Sequence, residues 1–206
     1  MIHGPDIVLK LPTSGVLVQI ENIVTGNNAG ARYWSDGKSD LPMWPDQPWL
    51  RRHPNTNELF WTDECEEISE EESRADQQEY PDIPYAEEPR VEDYKRALSS
   101  GVASTPEKER YIRMRYWWRA NDPARYGKAA APSLPEFREN LLKLRALLDV
   151  TDPEQRLIAA EVSRQLRDFA AATLLLDFEF PTDYARTVHL IKNLVSEEDF
   201  TVRQVG

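Results

Sequence analysis

A single cysteine, Cys65, among 206 residues excludes an internal disulfide and a thiolate cage for a metal, so folding does not call for an oxidising compartment. Glycine is scarce too, with eight in the chain and no glycine-rich loop of the kind that cradles phosphates. The three histidines, His3, His53 and His189, stand in unrelated contexts, and there is no Gly-x-Ser-x-Gly elbow or His-Glu-x-x-His helix. No apolar run approaches the roughly 20 residues that cross a bilayer. The opening Met1-Ile2-His3-Gly4-Pro5-Asp6 lacks the layout of a secretory signal. The expectation is a cytoplasmic protein without membrane contact, cofactor or catalytic centre. Positive charge is short as well. With 25 basic against 36 acidic side chains, the net charge of −11 excludes a general binder of phosphate backbones and suits a basic partner.

What is present divides the chain into three. Residues 1–62 read as a β-rich unit. The β-branched runs 7–11 and 16–20 flank Pro12-Thr13-Ser14-Gly15 as the arms of a hairpin flank its turn. Residues 31–34 lie between a break at 26–30 and a turn at 35–38, and a further strand is expected at 58–62, whereas Pro42, Pro45 and Pro48 remove donors and oppose regular structure near them. Residues 63–90 form an acidic connector: from 63 to 88, twelve acidic residues face Arg74 alone. Such a stretch buries too little to offset its own ordering entropy, so it is expected to be extended or loosely draped. A short helix over 64–72 would have to bear six like charges.

Residues 91–206 read as helices. Thr105 before Pro106 and Asp152 before Pro153 are N-caps followed by proline in the first turn, and Gln155 offers a capping box. Pro135 opens another helix. Phe137, Leu141, Leu144 and Leu148 keep helical spacing, as do Ile158, Val162, Leu166 and Phe169, then Tyr184, Val188, Ile191 and Val195. A short helix near 91–98 brings the number to five or six. The fold class expected is therefore α+β: a small N-terminal antiparallel β unit followed by a C-terminal stack of antiparallel α-hairpins.

Two short turns carry the most local information. Leu11-Pro12-Thr13-Ser14-Gly15 and His53-Pro54-Asn55-Thr56-Asn57 share the outline of a zinc knuckle, Cys-Pro-x-Cys-Gly. Leu11, Ser14, His53 and Thr56 stand at its four ligand positions. With Tyr33-Trp34-Ser35-Asp36-Gly37-Lys38, Pro48-Trp49-Leu50, Phe60-Trp61 and the later Tyr116-Trp117-Trp118-Arg119-Ala120-Asn121-Asp122, the chain resembles a family of uncharacterised bacterial proteins. These join a two-knuckle zinc ribbon to a helical, tetratricopeptide-like half. The resemblance covers about two-thirds of the chain. It implies the fold, without the metal, and brings no function with it. Pro-x-x-Gly turns are common, so the outline leaves open either a ribbon that has lost its ligands or two unrelated turns. A ribbon without zinc must replace it by packing, for which Trp34, Trp44, Trp49, Phe60 and Trp61 are candidates. An improvised zinc set of His3, His53 and Cys65 is a third alternative.

Other chemistry is thin. Cys65 lies among Asp63, Glu64, Glu66 and Glu67, whose charges disfavour the thiolate. The run Arg110 to Arg119 interleaves arginines with aromatics. It reads either as a base-stacking, phosphate-holding face or as a core stripe of Tyr111, Met114 and Trp118 with arginines outside. The stretch 160–175 resembles one tetratricopeptide-type helix pair, with Arg167 where that pattern has glycine. Trp44 and Trp49 are expected as aromatic anchors beside a docking strip of Glu66, Glu67, Glu70, Glu71 and Glu72. The function expected is a non-enzymatic protein-binding protein, a cytosolic immunity or antitoxin-type neutraliser of a basic toxin or effector domain. The alternatives are a nucleic-acid-associated factor using residues 110–119 and an enzyme whose site is unrecognised.

Overall fold

The computed structural model describes residues 1–68 and 83–206. In chain order the strands are β1 (Ile2–His3), β2 (Ile7–Lys10), β3 (Leu17–Ile20), β4 (Ile23–Thr25), β5 (Arg32–Trp34), β6 (Ser39–Asp40), β7 (Leu50–Arg52), β8 (Leu59–Trp61) and β9 (Glu66–Ile68). Helices follow: α1 (Val91–Ser99), α2 (Pro106–Arg125), α3 (Pro135–Ala146), α4 (Pro153–Gln165), α5 (Phe169–Leu176) and α6 (Ala185–Ser196), then strand β10 (Gln204–Val205). The class is α+β, with small antiparallel sheets first and helices after them. Among the described residues no helix is long and apolar enough to cross a membrane.

The chain forms two units, and their borders differ from the expected 1–62, 63–90 and 91–206. Unit 1 is Met1–Gly30 with Leu41–Val102; unit 2 is Ala31–Asp40 with Ala103–Gly206. The β5–β6 hairpin joins the helices because β10 pairs with β5, Gln204 opposite Trp34 and Val205 opposite Tyr33. Helix α1 stays with unit 1. Its Arg96 donates to the Asn57 carbonyl and its Asp93 faces Arg52, while Trp61 Nε1–H donates to the Val102 carbonyl at 3.0 Å.

Unit 1 contains two hairpins, β2–β3 and β7–β8. Residues 83–87 stitch them together. Gln19 N–H donates to the Pro84 carbonyl and Ala86 N–H to the Gln19 carbonyl, while Arg52 and Glu87 exchange both backbone bonds at 2.9 Å. This end of the acidic connector is thus built into the β unit. Its start is the strand β9, and the described residues 66–68 do not take the short helix expected over 64–72. After a single 3-10 turn at Thr62–Glu64, β9 pairs with β2, Leu9 opposite Glu67 and Lys10 opposite Glu66. A strand sends neighbouring carboxylates to opposite faces, whereas a helix would stack them at i, i+3 and i+4.

In unit 2 the helices form where their caps were legible. Thr105 Oγ1 accepts from Lys108 N–H and Asp152 from Gln155 N–H at 2.8 Å. Gln155 does not close the box; its Oε1 accepts from Asp149 N–H and Arg110. The apolar stripes meet in one cluster of Trp117, Phe137, Leu141, Leu144, Val162 and Leu166, and another of Leu157, Ala160, Leu176 and Ile191. Between α4 and α5, Arg167 takes the left-handed conformation (φ 63°) at the position where the helix-pair pattern has glycine.

Asp168 caps α5 by accepting from Ala171 N–H and pairs with Arg145 at 3.0 Å. The Arg145 bond, then the backbone bond, hold its carboxyl below the ordinary carboxylate range. A lowered folded value stabilises above the unfolded pKa near 3.9 and is lost as pH falls through the folded value. Asp168→Ala is therefore expected to destabilise unit 2 by about 1 kcal/mol at neutral pH and by less below about pH 4, measured by urea titration at both pH values.

Candidate functional site

The two knuckle-like turns are built alike. Leu11 N–H donates to the Val16 carbonyl and Gly15 N–H to the Leu11 carbonyl; His53 N–H donates to the Glu58 carbonyl and Asn57 N–H to the His53 carbonyl, all at 2.9 Å. Gly15 and Asn57 share the left-handed conformation, φ 70° and 60°, which asparagine tolerates better than most residues. In each turn the first candidate ligand position is buried, Leu11 at 1% exposure and His53 at 2%, and the second is exposed. Ser14 Oγ accepts from Val16 N–H as Thr56 Oγ1 accepts from Glu58 N–H, both at 3.3 Å.

The donors do not fit zinc. Leu11 has no lone pair to give, and Ser14 and Thr56 offer neutral hydroxyls where a structural site wants thiolates or imidazoles. His53 Nδ1 accepts from Asn55 N–H at 3.3 Å and Thr56 N–H at 3.2 Å. This fixes the ring proton on Nε2, which is buried without a hydrogen-bond partner among the described residues. The imidazole lone pair is thus spent on the turn's own backbone. Nor do His3, His53 and Cys65 gather: no group of three or more His, Cys, Asp and Glu able to hold a metal occurs among the described residues.

Packing around these turns is aliphatic more than tryptophan-rich. Leu9, Leu11, Val18 and Phe60 form the buried cluster, with Ile7, Ile20, Cys65 and Ala86 against it. Of the five aromatics expected there, Phe60 and Trp61 are buried in unit 1, Trp34 belongs to unit 2, and Trp44 and Trp49 are 42% and 64% exposed. A Cβ on Gly26 would fall 2.6 Å from the Trp44 ring, so the indole lies on that glycine. The Cys65 thiol donates to the Trp61 carbonyl, and burial first, then Glu64, Glu58 and Asp63, push its pKa to about 11. It stays protonated at neutral pH.

Glu66 and Glu67 are exposed on β9, the edge strand of the β3-β2-β9 sheet, with Lys10 3.7 Å from Glu66. Glu70, Glu71 and Glu72 lie outside the described residues. The charge of the chain is concentrated in one unit. Over the described residues unit 1 carries 12 acidic and 6 basic side chains, a net of −6, and unit 2 carries 18 of each, a net of zero.

The arginines of α2 do not stand outside the core stripe. Arg113 and Arg115 are buried, Arg113 bonded to Glu109 and Asn140, Arg115 lying over the Tyr111 and Trp118 rings. Arg110 donates to Gln155, and Arg119 faces Asp122. A phosphate-holding row would need these cations at the surface.

Sequence reasoning missed the polar centre of unit 2. Asp36, in the β5–β6 turn, is fully buried and receives two bonds from Arg125, 3.0 and 2.6 Å, and one from Asn121. Burial pushes the Asp36 carboxyl up, and the Arg125 and Asn121 bonds pull against it. Desolvation opposes the Arg125 charge, yet the bonds and charges of Asp36 and Asp122 win and hold the guanidinium protonated. Beside them Glu161 accepts from Ser35 Oγ–H at 2.7 Å, and Arg164 joins Glu161 to the Asp199 and Thr201 carbonyls. The one legible signal was Glu161 and Arg164, a charged i, i+3 pair embedded among Ala159, Ala160 and Val162.

Comparison with family models, with curated proteins and with solved structures returns no match.

Proposed function

We propose that this chain is a non-enzymatic protein-binding protein, a cytoplasmic neutraliser of the immunity or antitoxin type. Unit 1 docks on a basic partner, a toxin or effector domain. The observation that carries this reading is the segregation of charge: among the described residues unit 1 has a net of −6 and unit 2 a net of zero. A neutral scaffold gains nothing from such asymmetry, whereas a docking unit gains a field that speeds encounter with a cationic surface and disfavours acidic ones. Exposed Glu66 and Glu67 on an edge strand, with Trp49 and Trp44 exposed in the same unit, supply the charge and the large apolar area that binding centres use. The protonated Cys65 thiol argues against a cysteine nucleophile. Unit 1 is, in this reading, a two-knuckle ribbon that kept its turns when its ligands were lost.

Co-expression tests it. A toxin encoded beside this gene in its native host is expected to lose its growth inhibition when the chain is supplied. Glu66→Lys with Glu67→Lys is expected to weaken the complex about tenfold at low salt and by less at 0.5 M salt, with unchanged far-UV circular dichroism. Full rescue by the charge-reversed variant, with unaltered affinity, would remove unit 1 as the docking surface.

A further inference from the structure

Unit 2, which the proposed docking leaves unused, contains a groove of about 920 Å³. Trp34, Met114, Trp118, Leu157 and Ile158 give it an apolar lining, Trp34 and Leu157 being buried and the others partly so. Gln204 and Val205 of β10 belong to the same lining. β10 is an edge of the β10-β5-β6 sheet. Its outward-facing backbone follows from the register. Trp34 N–H donates to the Lys38 carbonyl, away from β10, so the Trp34–Gln204 pair is not hydrogen-bonded across the two strands. The N–H and C=O of Gln204 therefore face outward.

Charge distinguishes the rim. Glu154 and Asp183 line the groove, are exposed, and make no ion pair among the described residues. Lys38, also in the lining, has its ammonium 2.7 Å from Asp122. Arg186 lines the groove three residues beyond Asp183 and supplies the opposing charge. The Tyr184 phenol is raised from its ordinary value by burial first, then by Glu154, Asp152 and Asp183, so the field beside it is negative.

We propose that this groove takes an extended peptide segment, added as a strand to β10, with a large apolar side chain on the tryptophan lining and a lysine or arginine against Glu154 and Asp183. An edge offering one outward N–H and C=O supplies the backbone recognition typical of strand addition, and the apolar lining with its acidic rim supplies the side-chain choice. The site is independent of the acidic surface of unit 1.

The test is a ¹⁵N titration of the full chain with acetyl-Lys-Leu-Lys-Leu-amide and, separately, acetyl-Glu-Leu-Glu-Leu-amide. The basic peptide is expected to move the Trp34 and Trp118 indole signals and the amides of Gln204 and Val205, and to bind about fivefold more tightly than the acidic one. Gln204→Pro removes the outward donor, at an edge position that tolerates proline, and is expected to weaken the basic peptide about fivefold. Glu154→Gln with Asp183→Asn, two surface changes that leave the fold intact, is expected to abolish the preference between peptides. The proposal is overturned if neither peptide moves these signals at millimolar concentration, if the shifts fall on unit 1 instead, or if the doubly neutralised variant keeps the full preference.

Discussion

Asp36→Ala is expected to destabilise unit 2 by about 3–5 kcal/mol, a large fraction of the roughly 5–15 kcal/mol that holds a typical domain folded. The loss does not reflect a strong attraction. Arg125 is completely buried, and without Asp36 its guanidinium keeps Asp122 but loses the two bonds that compensated its removal from water. Arg125→Met alone strands the Asp36 carboxylate in the same way, although Asn121 still donates to it. The double variant Asp36→Ala with Arg125→Met is expected to recover most of either loss, because an apolar pair of similar volume needs no compensation. Urea unfolding followed at 222 nm reads the helices, most of which lie in unit 2. A single variant within about 1 kcal/mol of wild type, or a double variant as unstable as the two losses added together, refutes the account.

Leu11→Ala is expected to cost unit 1 about 2–5 kcal/mol, the range for truncating a fully buried leucine. Leu11 occupies a position where a knuckle would offer a metal ligand, yet it is 1% exposed and packs with Leu9, Val18 and Phe60. If burial fixes this turn, the penalty appears as faster amide hydrogen exchange in β2, β3 and β8, with the helices of unit 2 unaffected. Excess chelator is expected to leave the wild-type exchange pattern unchanged, since His53 Nδ1 already serves Asn55 and Thr56. Chelator-sensitive exchange in those strands would show that a metal holds the turn after all.

The helical half was legible because its signals are local. A cap such as Thr105 or Asp152 acts on a backbone N–H three residues away, and the stripe from Phe137 to Leu148 is a property of one helix. The hairpin around Pro12-Thr13-Ser14-Gly15 was legible for the same reason. β9 was obscured, since its partner β2 is more than fifty residues distant and its own composition suggested either a loose connector or a repelling helix. For Trp44 and Trp49 two readings stood side by side, packing around the turns and exposed anchoring, because composition states how much apolar area a side chain offers and leaves open whether a neighbour covers it; both are exposed.

The amino-acid order by itself determined the class, the helices and their caps, the two matching turns and the sign of the charge, all set within a few residues or by counting. Tertiary structure alone decided which unit owns that charge, that the β5–β6 hairpin belongs with helices far along the chain, and that Asp36, Arg125, Glu161 and Arg164 are buried together. Whether an ionised group faces water or a counter-ion depends on elements brought together from distant parts of the chain, and desolvation acts only once they have met.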